Sequence, residues 1–191
     1  MLLEPLLSRL SLTLLVTLGL AVAACDRSEP EPAQENAEQT ATSGEIDRGQ
    51  AGELMPASNM TNLAGRELNL GALQGTPVLL NLWATWCAPC VKEMPLLDEL
   101  ATEYDEQLHV ITVSQDMGSP EKVRQFFEEN ELEYLESWMD PENRLGFELG
   151  GGSLPLTVLY DSSGREVWRV AGDYDWSSEE ARAAIDEAIA E

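Results

Sequence analysis

The chain is poor in the residues that hold metals, grip nucleic acids or span membranes. Its 191 residues include one histidine, His109, and three cysteines, Cys25, Cys87 and Cys90. A structural zinc site needs four Cys or His ligands, and neither a second Cys pair nor a His pair accompanies the spaced pair Cys87 and Cys90. Lys and Arg number 11 against 35 Asp and Glu, which gives a formal net charge of -24 at pH 7. Neutralising phosphates takes clustered basic side chains, so nucleic acid is excluded as an expected partner. The same acidity repels anionic headgroups and reads as a solvated, solubilising surface. The main apolar run, from Leu12 to Val22, is shorter than a bilayer-spanning helix needs. Metal is not expected in the site, nor any cofactor beyond a redox disulfide.

What is present is concentrated in one place. Trp86-Cys87-Ala88-Pro89-Cys90 follows the apolar run Val78-Leu79-Leu80-Asn81-Leu82-Trp83 directly, a strand followed by a CxxC. Two cysteines separated by two residues can close a small disulfide ring. At the start of a helix the first of them meets unpaired backbone N–H groups and the positive end of the macrodipole. Both stabilise a thiolate, which is the nucleophile in disulfide exchange. Pro89 stiffens the loop and falls in the first helical turn, where its missing N–H costs little.

Residues 1–24 read as a secretory leader, with Arg9 as the one early positive charge, offset by Glu4. The leader closes as Val22-Ala23-Ala24-Cys25, which resembles the lipobox of bacterial lipoproteins. That resemblance implies acylation of Cys25, and Asp26 after it implies retention at the periplasmic face of the inner membrane. Outer-membrane anchoring, or a soluble periplasmic form cut by an ordinary signal peptidase with Cys25 left as a third thiol, are the alternatives. Residues 25–57 are rich in Glu, Pro, Gln, Ser, Thr and Gly and read as a flexible acidic tether. One domain is expected over 58–191.

Within that domain, Asn62 to Leu70 alternates around Gly65 and predicts a hairpin, and Val78 to Trp83 a buried central strand. A helix follows from the CxxC to about Tyr104, with Leu97, Leu100, Ala101 and Tyr104 on one face and Pro95 inside it. His109 to Val113 predicts a strand, and Pro120 to about Asn130 a helix capped by Ser119. Pro155–Tyr160 and Arg165–Val170 flank the turn Asp161-Ser162-Ser163-Gly164 as a second hairpin. Ser177 with Glu180 predicts the capping box of a last helix. The order describes an α/β fold, a mixed sheet between helices.

This order, with the CxxC after an early strand and Pro155 opening a later one, resembles the thioredoxin fold: a three-layer α/β/α sandwich with a mixed central sheet, here with an N-terminal β-hairpin extension. The string Asn81 to Pro95 most resembles the membrane-tethered extracytoplasmic TlpA, ResA and CcmG (DsbE) proteins. The resemblance implies that Cys87 is the exposed nucleophile and Cys90 the buried resolving thiol. It implies that Leu154-Pro155 is a cis bond facing the thiols, with the backbone at Leu154 pairing with substrate. It also implies that Glu93 is partly buried and tunes the thiols, although a solvated helix Glu beside Lys92 is the plainer alternative. Trp86, Ala88 and Pro89 would form the docking surface, and Trp83 the core. Leu154 and Leu156 depart from the CcmG pattern, which has a small residue before the proline and an acid after it.

The expected function is extracytoplasmic reduction of protein disulfides, for example in cytochrome c maturation, by a monomer recharged from an upstream membrane dithiol donor. The middle pair Ala88-Pro89 contains no His, which argues for a potential nearer thioredoxin's, about -270 mV, than DsbA's, about -120 mV. Two other readings compete. A lipid-anchored copper(I) chaperone would use the CxxC as soft ligands, but His109 reads as a strand-end residue rather than a ligand. A peroxiredoxin-like peroxidase would carry Pro and Thr at positions 80 and 84, which are Leu80 and Ala84.

Overall fold

The computed structural model describes residues 44–118 and 120–190. The leader, Cys25, Asp26, the tether as far as residue 43 and the expected cap Ser119 lie outside the described residues.

Seven strands form one mixed sheet: β1 (Asn59–Asn62), β2 (Glu67–Asn69), β3 (Val78–Trp83), β4 (His109–Ser114), β5 (Ser137–Met139), β6 (Leu156–Tyr160) and β7 (Glu166–Ala171). Helices α1 (Ala88–Tyr104), α2 (Glu121–Glu129), α3 (Arg144–Glu148) and α4 (Glu179–Ile189) are interleaved with them. The strand order is β2-β1-β5-β4-β3-β6-β7. β3 lies parallel to β4 and antiparallel to β6, while the β1–β2 hairpin joins the sheet by antiparallel pairing of β1 with β5. This is the thioredoxin-like fold that the sequence predicts, hairpin extension included.

The continuous apolar run of β3 has a direct cause, because both of its faces are buried. Leu79 and Trp83 pack into a layer built from α1, α2 and α4, through Leu97, Leu100, Val123 and Ile185. Val78, Leu80 and Leu82 face the other layer, where α3 contributes Leu145 and the loops contribute Leu70 and Met55. Each such buried leucine contributes about 2 kcal/mol. The second layer is the thinner one, since α3 is five residues long.

Two expectations need correction, and two short elements answer to no expectation. The tether does not run free to residue 57. Gly44, Asp47, Gly52 and Met55 make backbone hydrogen bonds along β7 and the loops at its two ends, to Asp173, Arg169, Glu166 and Gly164. Met55 is buried and Ile46 packs on the core. Composition alone misses such a strap, because backbone pairing needs no apolar periodicity. β5 and α3 fall in a stretch with no clear sequence pattern, at three and five residues too short to show a period. The capping box of α4 does not form at Ser177, whose N–H and hydroxyl both donate to Asp175. Ser178 is the cap instead, its Oγ accepting from the Ala181 N–H at 3.1 Å.

Candidate active site

β3 delivers the chain to the CxxC through Ala84, Thr85 and Trp86. Thr85 donates its N–H and its hydroxyl to the two carboxylate oxygens of Asp116, at 2.8 and 2.6 Å, and Ser114 Oγ donates to the same carboxylate at 2.9 Å. The loop that opens the site is therefore pinned to the end of β4. Cys87 is the N-cap of α1, and its Sγ accepts from the Cys90 N–H at 3.3 Å. Cys87 and Cys90 are joined as a disulfide with their Cα atoms 5.3 Å apart. Their relative exposures are 6% and 1%. Cys87 is the less buried of the two, yet it is buried rather than exposed in the disulfide form, its sulfur turned into the ring and toward the Cys90 amide.

Around the ring the side chains divide sharply. Trp86 is 69% exposed, Ala88 is exposed and Pro89 half-buried. Trp83 is buried, its ring centroid 5.0 and 5.9 Å from those of Phe126 and Phe127. The bond before Pro155 is cis. Leu82 pairs with Leu156, so the CxxC after β3 and the cis bond before β6 lie at the same end of the sheet. Gly150 and Gly151 approach this bond with positive φ, a conformation that side chains other than glycine resist. Just before them the Leu149 carbonyl accepts from Arg169 Nη1 at 2.7 Å, and Arg169 is itself held by a buried ion pair to Glu166. His109 opens β4 opposite Val78, at the far end of the β3–β4 pair from the motif.

An open cavity of about 160 Å³ lies beside the motif, lined by Trp86, Met117, Leu154 and Gln115 among others. Among the described residues, no charged side chain lines it. On another flank, Glu93 is 2% exposed. Its Oε1 accepts from the Tyr174 N–H at 2.7 Å, and its Oε2 has no hydrogen-bond partner among the described residues. Burial raises its pKa from 4.5 to about 7, with the Asp173 charge adding to the rise, while the Tyr174 amide and the Trp176 indole oppose it. The indole Nε1 makes no well-formed hydrogen bond, so it acts on the carboxylate at longer range. Glu93 is thus a buried group that gains or loses its proton near neutral pH.

The model of the AhpC/TSA family matches residues 51–185. ResA, a thiol-disulfide oxidoreductase of Bacillus thuringiensis strain Al Hakam, is 33% identical over 125 residues, which are 65% of this chain and 71% of the relative. DsbE, a thiol:disulfide interchange protein of Haemophilus influenzae, is 34% identical over 124 residues, 64% of this chain and 66% of the relative. A crystal structure of a candidate thiol:disulfide interchange protein DsbE from Chlorobium tepidum superposes with a TM-score of 0.66 at 21% identity, covering 73% of this chain and 97% of that one. The last shares the fold. The chain belongs to the AhpC/TSA family and is a thiol-disulfide oxidoreductase of the ResA/DsbE type.

Within this ResA/DsbE-type site the structure brings together most of the residues singled out from the sequence: Trp86 through Cys90 on the pinned loop, Glu93 one helical turn on, and Leu154-Pro155 at the same sheet end. Positions 80 and 84 are Leu80 and Ala84, both buried in the core. Sequence reasoning missed Gln115, Met117, Tyr174 and Trp176. The aromatic pair within Asp173-Tyr174-Asp175-Trp176 was a visible signal, but its meeting with Glu93, 81 residues away in the chain, was not.

Proposed function

We propose that this oxidoreductase is an extracytoplasmic, monomeric reductant of protein disulfides, lipid-anchored through Cys25. The observation that carries the reading is a cysteine pair capping a helix, beside an open uncharged groove on one flank and a buried carboxylate titrating near neutrality on another. The Cys87 thiolate forms an S–S bond to one sulfur of the target disulfide, and the other sulfur leaves as a thiolate and takes up a proton. Cys90, deprotonated with Glu93 as the proton acceptor, then attacks the Cys87 sulfur and releases the second target sulfur. That second sulfur leaves as a thiolate and takes the proton that Glu93 accepted, the first having come from solvent, so the target gains two electrons and two protons and this chain ends as the Cys87–Cys90 ring. A membrane dithiol donor restores the reduced form.

Several features favour reduction over oxidation. The pair between the cysteines contains no His, and an ionised Glu93 disfavours a neighbouring thiolate, which makes the dithiol the better electron donor. The leader and the Cys25-Asp26 junction support placement at the periplasmic face of the inner membrane, and apocytochrome c thiols are a fitting target there. A Cys90→Ala variant expressed with its leader tests this, because it cannot resolve the mixed disulfide. It is expected to accumulate covalent adducts with extracytoplasmic proteins, identifiable by mass spectrometry. A chain that stays in the cytoplasm, or forms no adducts, contradicts the proposal.

A further inference from the structure

Among the described residues that line the groove, Gln115 is the one whose polar atoms are both buried and unused. It follows β4 directly, its N–H donates to the Trp83 carbonyl at 2.8 Å, and it is 5% exposed. Among the described residues, neither Oε1 nor Nε2 has a hydrogen-bond partner. A buried carboxamide left unpaired costs about 1–3 kcal/mol, so an unsatisfied one beside an open cavity calls for a missing partner. Its surroundings leave it room. A Cβ on Gly146 would press to 3.3 Å on Gln115 Oε1 and collide with Asn143 Oδ1, so the absence of a side chain at Gly146 keeps the amide uncovered. Trp86, Met117 and Leu154 supply apolar walls, and Trp86 and Met117 are largely exposed.

We infer that Gln115 is a substrate-binding residue, whose carboxamide pairs with an amide group on the residue next to the target cysteine. An amide complements it on both counts, since it offers one acceptor and one donor to Nε2 and Oε1. A carboxylate or an ammonium would satisfy one of the two atoms and bring an uncompensated charge into an uncharged pocket. The amide can come from an Asn or Gln side chain or from the peptide backbone; the pairing chemistry is the same. Unless the peptide backbone reaches Gln115, an apolar side chain on the target fills the cavity but leaves the carboxamide unpaired, and a site with buried polar atoms rejects such partners. The inference rests on the disulfide-reductase reading above and adds to it the chemistry of the preferred target.

The test uses short peptides whose cysteine is disulfide-linked to a common small thiol, with Gln, Met or an N-methylated residue beside the cysteine, alongside a small-molecule disulfide. The readout is the ratio of kcat/KM values within one protein, which cancels general losses. For the native chain the Gln peptide is expected to be reduced about tenfold faster than the Met peptide, and the ratio should fall to within about twofold in Gln115→Met. If the side chains are equivalent but N-methylation costs about tenfold in the native chain and not in Gln115→Met, the backbone is the amide source and the assignment holds. Peptides reduced at one rate whatever their flanking group overturn it, and the native chain alone gives that result should Gln115→Met not fold. If neither the peptides nor the small disulfide are reduced, the reductase reading fails and the inference falls with it.

Discussion

The two hollows that flank the disulfide are built from opposite materials. One is lined by Trp86, Met117, Leu154 and Gln115, with no charged group among the described residues. The other holds Lys92, Glu93, Asp173 and Asp175 around Tyr174, and they share no lining residue. The contrast separates two tasks that a dithiol enzyme must perform. The uncharged hollow can exclude water from an extended target chain and select among targets, while the acidic one can hold a proton at the pH where thiols begin to ionise. Each can be perturbed without touching the other.

The largest effect should come from the ring between them. Replacing Cys87 with Ser is expected to abolish disulfide reduction, whereas Cys90→Ala should still form the first mixed disulfide; stopped-flow assays with a chromogenic disulfide separate the two. Turnover in Cys87→Ser would move the chemistry away from the assigned nucleophile.

Next in size is the acidic hollow. Glu93 carries its proton up to about pH 7 in the folded chain, against 4.5 ordinarily. As pH rises, the unfolded chain releases this proton first, so the stability that this group contributes is fully present below pH 4.5 and is lost as pH rises through 7. The decline from this group is on the order of 3 kcal/mol. Glu93→Gln should therefore be close to neutral at pH 5 and stabilising by about 1–3 kcal/mol at pH 8, read from denaturant unfolding at the two pH values. The same variant should flatten the pH profile of reduction near neutrality. An unchanged profile would leave Glu93 a merely structural buried acid.

The smallest effect belongs to the uncharged hollow. Removing an exposed aromatic from a docking surface costs about 1–2 kcal/mol, so Trp86→Ala should raise KM for a protein disulfide roughly tenfold with a smaller change in kcat. A fall in kcat with unchanged KM would place Trp86 in the chemistry rather than in docking.

Legibility in the sequence followed the same division. The nucleophilic loop was plain because strand, CxxC and helix are contiguous, and the cis proline was reached through family resemblance. Local spacing placed Glu93 on the Cys90 face of α1, but its burial depends on Tyr174 and Trp176, which come from a loop far along the chain. Gln115 carried no local signal, since a glutamine after a strand is ordinary until its surroundings are known. The strap from Gly44 to Met55 looks like tether in the sequence because its pairing with β7 and the loops beside it is made by backbone, which composition does not reveal.

The central claim is that this ring gives electrons rather than takes them. Equilibrating the purified protein in defined dithiothreitol or glutathione buffers at pH 7, and counting free thiols at Cys87 and Cys90, measures that directly. A midpoint near -270 mV, at the thioredoxin end of the scale, is the predicted result. A midpoint near -120 mV, where DsbA lies, would make the chain an oxidant and contradict the account.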